Sequence, residues 1–155
     1  MSDIKCPCGT ALLFADCCKP YLDGKVEAAT PEVMMRSRYT AFACGDFTYL
    51  KKTWHPDTVP ELGADESSNW AGLEILETAI DEEGEYGEVE FVAKLIVGDR
   101  LEILHEVSEF EKIDGRWMYH SGEFKNDGAA PTKISMKASC PCGSGERFKH
   151  CHFKG

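Results

Sequence analysis

GEVEFVAKLIV, residues 87–97, alternates along its length: Val89, Phe91, Ala93, Leu95 and Val97 fall on one face, Glu88, Glu90 and Lys94 on the other. A period of two marks a half-buried strand, because successive side chains leave opposite faces of the pleat. Working outward, residues 73–80, 101–113 and 117–123 read as three more strands. Turns at Glu83-Gly84, Gly98-Asp99 and Asp114-Gly115 separate them. Asp-Gly between apolar runs is a two-residue hairpin signal. The second half of the chain is therefore expected to be a four-stranded antiparallel meander.

Upstream the period lengthens. Thr30-Pro31-Glu32 is a helix start, with Thr as N-cap, Pro at the first turn and an acid at the positive end of the dipole. Met35, Tyr39 and Phe42 then recur at helical spacing. Gly45-Asp46 ends this helix and opens a second, which carries Phe47, Leu50 and Trp54 and closes at His55-Pro56. Residues 57–69 read as loop, and 125–137 as a linker of small and polar residues. Helices followed by a meander make an α+β layout, with the helices packed on one face of the sheet.

The two ends repeat each other. CPCGTALLFADCC (6–18) aligns with CPCGSGERFKHCH (140–152), and eight residues separate Cys8 from Cys17 and Cys142 from Cys151. Adjacent Cys17 and Cys18, and pairs one residue apart, do not suit relaxed disulfides. A tetrahedral Zn²⁺ accounts for the residue types: Cys6, Cys8, Cys17 and Cys18 form one set, and Cys140, Cys142, Cys151 and His152 the other. Iron–sulfur sites also use cysteine sets, but with other spacings. Pro7 and Pro141 stiffen the paired cysteines, Gly9 and Gly143 let the backbone turn over the sulfurs, and Phe14 and Phe148 can cover the metal. Neither set leaves an open position, so two structural ions are expected. Cys44 stands alone and reads as a small buried hydrophobe.

The formal net charge is −10, but residues 132–155 carry five Lys or Arg against one Glu, so the other residues carry −14. Such a body repels a phosphate backbone, which makes nucleic acid an unlikely partner. No run approaches the roughly 20 apolar residues of a membrane span. The N-terminal residues lack the apolar core of a signal peptide. The expectation is a soluble, cytoplasmic protein with reduced thiols.

CPCGSGERFKHCH resembles the SEC-C motif, the zinc-binding tail of the SecA translocation ATPase; no Walker sequence accompanies it. With MRSRYTAF (35–42) and TWHP (53–56) between two such modules, the whole chain resembles the YchJ family of bacterial proteins. That resemblance implies a middle domain with the cone-shaped, nuclear transport factor 2-like (cystatin-like) fold. The parts are then an N-terminal zinc module over 1–24, the cone over 30–124, the linker, and a C-terminal zinc module over 138–155. SecA-like tails dock on an export chaperone through a basic surface, which by resemblance assigns partner contact to Arg147, Lys149, His150 and Lys154.

The leading expectation is a zinc-binding, non-catalytic adaptor whose tail docks on a protein, either a chaperone or a ribosome-associated surface. The alternative is a small-ligand binder or enzyme using the cone's cavity, with Arg36, Arg38, Tyr39, Trp54, His55, His105 and Glu106 as lining candidates. Arg36 and Arg38 should point to different faces of their helix. His105 and Glu106, adjacent on a strand, should face opposite sides. Trp54, Trp70 and Trp117 are most simply core aromatics.

Overall fold

Among the described residues three α-helices precede five strands: α1 (Lys19–Leu22), α2 (Pro31–Cys44), α3 (Phe47–Lys52), β1 (Trp70–Ile80), β2 (Tyr86–Val97), β3 (Arg100–Ile113), β4 (Arg116–Phe124) and β5 (Thr132–Lys133). The computed structural model describes residues 6–10, 12–59, 70–125, 132–142 and 145–151. Most of the expected 57–69 loop, linker positions 126–131, and the site candidates His152 and Lys154 lie outside the described residues.

The helix signals operate as their chemistry requires. Thr30 Oγ1 accepts from the Val33 amide at 3.2 Å and Pro31 occupies the first turn. Gly45, at φ 76°, closes α2 in the left-handed conformation, and Asp46 caps α3 by accepting from the Tyr49 amide at 3.1 Å. Helix α2 is buried over far more than the expected stripe, including Ser37, Arg38 and Thr40. It is wedged between the sheet, α3 and the N-terminal module, so few of its sides meet solvent. Cys44, at its last turn, is exposed; the expectation of a buried thiol there was wrong.

The sheet runs β1-β2-β3-β4, antiparallel throughout. Asp114 and Gly115 both take positive φ, 52° and 81°, the geometry of a hairpin turn that follows the strand twist. A register shift between Glu109 and Phe110 leaves His120 as an extra residue in β4. This bulge keeps Tyr119 and Gly122 on the helix-facing side despite their odd spacing.

Among the described residues three clusters make the core, the smallest being Ala41, Tyr49 and Leu50 between α2 and α3. The inner one packs Met35 and Tyr39 of α2 against Val89, Phe91, Ala93, Phe110 and Trp117, with Cys6, Cys8 and Cys18 inside it. The second lies on the other face of the sheet and joins Ala71 and Ile96 to Ile134, Cys140 and Phe148. Here the expected alternation of β2 fails. Ile96 is 3% exposed and Val97 is 54% exposed, because the C-terminal module covers the outer face at that end. Part of the expected linker is ordered into β5, which pairs with Arg100 and Leu101 of β3, and the Ile134 amide donates to Asp99 O at 2.6 Å.

Candidate metal centres

The N-terminal cysteines converge because the chain folds back on itself within a few residues. The Cys6 amide donates to Leu12 O at 2.8 Å, and a single 3-10 turn over Phe14–Asp16 delivers Cys17 and Cys18. Gly9 takes φ +89° close against the Leu73 carbonyl, where a side chain would be strained. The four sulfurs lie within 4.8 Å of one another, with Cys8–Cys17 at 3.5 Å and Cys17–Cys18 at 4.0 Å. A tetrahedron with metal–sulfur bonds of about 2.3 Å has edges of about 3.8 Å, so the set fits one ion.

The surroundings favour thiolates unevenly. Thr40 Oγ1 donates to Cys18 Sγ at 3.2 Å and lies 3.6 Å from Cys6 Sγ; Thr10 Oγ1 lies 3.1 Å from Cys17 Sγ. Hydrogen bonds from Cys18 and Cys8 pull Cys6 far down. The same contact with Cys6, then that with Cys8, then burial, push Cys18 up, and burial takes Cys17 up to about 11. Four clustered sulfurs cannot all ionise unaided; a divalent cation at their centre removes the conflict. Arg36, a cavity candidate, instead ties this module to α2, donating through Nη1 to Cys8 O at 2.8 Å and through Nε to Glu32 at 3.1 Å.

The C-terminal module repeats this backbone. The Cys140 amide donates to Glu146 O at 2.8 Å, matching Cys6 to Leu12 O, and Cys151 to Phe148 O at 3.1 Å, matching Cys17 to Phe14 O. The residues that close the two 3-10 turns share dihedral angles, −115° and −93° at Cys17 and −119° and −91° at Cys151. Cys140, Cys142 and Cys151 bring their sulfurs within 4.8 Å of one another, with Cys142–Cys151 at 3.6 Å. Phe148 is fully buried beside them, while Arg147, Lys149 and His150 are exposed.

The cavity candidates separate. Arg38, Tyr39, Trp54 and Glu106 line one cavity between α2 and the sheet. His105 does not: it sits on the outer face, its Nε2 2.6 Å from Glu90. Strand alternation enforces this, since its neighbour Glu106 points inward. His55 is also elsewhere, grouped with Glu111 and His120. The Asp57 amide donates to its Nδ1 at 3.1 Å, which puts the ring proton on Nε2, 3.1 Å from Glu111. Both ring nitrogens are thereby occupied; α3 ends at Lys52 with Thr53 as its cap, short of the expected His55-Pro56, and the His55 amide instead donates to Tyr119 O of β4 at 2.7 Å. Sequence reasoning missed Thr10 and Thr40 at the sulfurs, and Tyr119, Ser108 and Gly122 around Glu106. A hydroxyl four residues after Arg36, on the same helix face, was the available signal for Thr40.

Comparison with known proteins places this architecture. Residues 30–122 match the family described as YchJ, middle NTF2-like domain, and residues 136–154 match the SEC-C motif. The chain is 41% identical to a UPF0225 protein of Enterobacter sp. (strain 638), over 94% of this chain and 95% of that one. It is likewise 41% identical to a UPF0225 protein of Geobacter sulfurreducens, covering 94% and 96%. The solution structure of a SEC-C motif containing protein from Rhodopseudomonas palustris superposes with a TM-score of 0.71 at 35% identity, covering 79% of this chain and all of that one. A crystal structure of a SEC-C motif containing protein from Psychrobacter arcticus does so with 0.66 at 32% identity, covering 97% and 96%. Helices on a curled antiparallel sheet, with a cysteine cluster near each end and relatives matched along nearly the whole length, make this chain a member of the YchJ-like UPF0225 family.

Proposed function

We propose that the protein is a zinc-binding adaptor without catalytic metal chemistry, whose C-terminal module docks on a protein partner. Zinc suits all-sulfur and sulfur–imidazole sets. His152 would be the fourth ligand beside Cys140, Cys142 and Cys151, as Cys18 is beside Cys6, Cys8 and Cys17. Closed four-coordinate sites contribute folding energy rather than a reactive position. Such thiolate sites persist in a reducing compartment, which suits the cytoplasm.

The observation that carries the docking role is the exposed row Arg147, Lys149 and His150 on a module whose Phe148 and Cys140 are buried against the sheet. This basic segment, with Lys154 after it, projects from a body of opposite sign and suits an acidic protein surface. Co-purification with the full chain, compared with an Arg147→Glu, Lys149→Glu double variant, tests it. Zinc content near two equivalents in both proteins, with loss of the captured partner only in the variant, is the expected result. Zinc of one equivalent, or a partner retained by the variant, refutes the corresponding half of the proposal.

A further inference from the structure

The cavity beneath α2 has a volume of about 180 Å³, room for about six waters. Arg38 is only 2% exposed at its edge. The Trp54 and Tyr119 rings cover its guanidinium, with centroids 4.7 and 4.6 Å away. Its Nη1 donates to Leu50 O at 3.0 Å and Thr53 Oγ1 at 2.8 Å. Among the described residues, Nε and Nη2 have no hydrogen-bond partner and no carboxylate lies at ion-pair distance. Burial draws Arg38 down to about 10, against the pull of Tyr119, Tyr49 and Glu106, so it remains cationic at neutral pH.

Two further donors are left over. Trp54 Nε1 and Trp70 Nε1 are buried without a hydrogen-bond partner among the described residues, and both rings line this cavity. Buried donors are almost always satisfied, and buried cations are paired. The indole nitrogens themselves are closed off from the space, so the deficit that opens on it is the unpaired edge of the Arg38 guanidinium, which points to a missing acceptor. Opposite in chemistry, Glu106 accepts from Ser108 Oγ at 2.5 Å and Tyr119 Oη at 3.5 Å on Oε2, while Oε1 has no hydrogen-bond partner among the described residues. Gly122 makes room for this carboxylate; any side chain there would run into it.

We propose that the cavity binds a small organic acid carrying a hydroxyl or amino group. Its carboxylate meets the guanidinium fork of Arg38, and its donor meets Glu106. Its apolar body rests on Met35, Phe91 and Leu104. The fork geometry of guanidinium matches a carboxylate in two hydrogen bonds at once. This site goes beyond the adaptor role and does not depend on the metal centres.

Calorimetric titration of the full chain with mandelate, phenylacetate and phenylacetamide tests it. The expected order is mandelate tightest, then phenylacetate, with the neutral amide weaker than its acid by at least about tenfold. Glu106→Gln should remove the advantage of mandelate over phenylacetate. Arg38→Lys, which keeps charge and loses the fork, should weaken both acids about tenfold. Glu106→Gln serves if Arg38→Lys does not fold. Absence of saturable heat up to about 10 mM with all three compounds would mean a merely solvated cavity. Equal affinity for acid and amide, or affinities indifferent to Arg38→Lys or to Glu106→Gln, would equally overturn the proposal.

Discussion

Thr40→Val in the zinc-loaded protein isolates what α2 does for the N-terminal cluster. Thr40 is fully buried, and its hydroxyl reaches Cys18 Sγ at 3.2 Å and Cys6 Sγ at 3.6 Å. Valine fills nearly the same volume, so the change removes the donor to Cys18 Sγ and leaves little cavity. A hydrogen bond to a charged group contributes about 2 kcal/mol, and loss of such an outer partner lowers metal affinity by about 10–100-fold. For a chain of this length that corresponds to a melting point lower by about 4–8 °C. Chelator competition with a chromogenic zinc indicator, followed in time, reads the two sites separately. The wild type and the variant should release the C-terminal ion at the same rate, since Thr40 touches only the N-terminal set. The variant should release the N-terminal ion at least about tenfold faster. Identical release traces and identical melting would show that the Thr40 hydroxyl does not support the sulfurs, and the reasoning from these distances would fail.

Phe148→Ala opens the second core cluster, where Phe148 is fully buried beside Ile96 and Cys140. A loss of about 3–5 kcal/mol is expected in denaturant unfolding, with faster amide exchange at Ile96; unchanged exchange there would mean that the module does not brace the sheet. Gly122→Ala drives a methyl group into the Glu106 carboxylate and within 2.9 Å of Tyr119 Oη. It should cost about 1–3 kcal/mol by thermal melting, against about 1 kcal/mol for Gly115→Ala, where only the positive φ of 81° opposes the change. Cys44→Ser, at an exposed helix end, should shift stability by less than about 0.5 kcal/mol and leave the zinc content of the protein unchanged.

Much of this protein is legible in one dimension because the deciding signals are local. Thr30, Pro31, Gly45 and Asp46 set the helix ends through bonds spanning three or four residues, and Asp114-Gly115 sets a turn through its own dihedral angles. The cysteine sets are equally local: eight residues between ligand pairs, twice, specify a backbone loop that the structure repeats bond for bond. What the sequence could not specify depends on which surfaces meet. Ile96 turns out buried and Val97 exposed only because a module more than forty residues away in the chain covers the outer face of β2. MRSRYTAF reads as an amphipathic helix, yet its polar residues divide the work. Arg36 and Thr40 face the N-terminal cysteines, while Arg38 enters the cavity. A helix enclosed on several sides has no solvent face to which periodicity could assign them. The bulge at His120 likewise belongs to the pairing of β3 with β4 rather than to either strand alone, and it brings Tyr119 to Arg38 and Glu106. Local backbone chemistry thus set the elements and the ligand spacing, whereas burial, a property of pairs of distant segments, decided which polar side chains share a site.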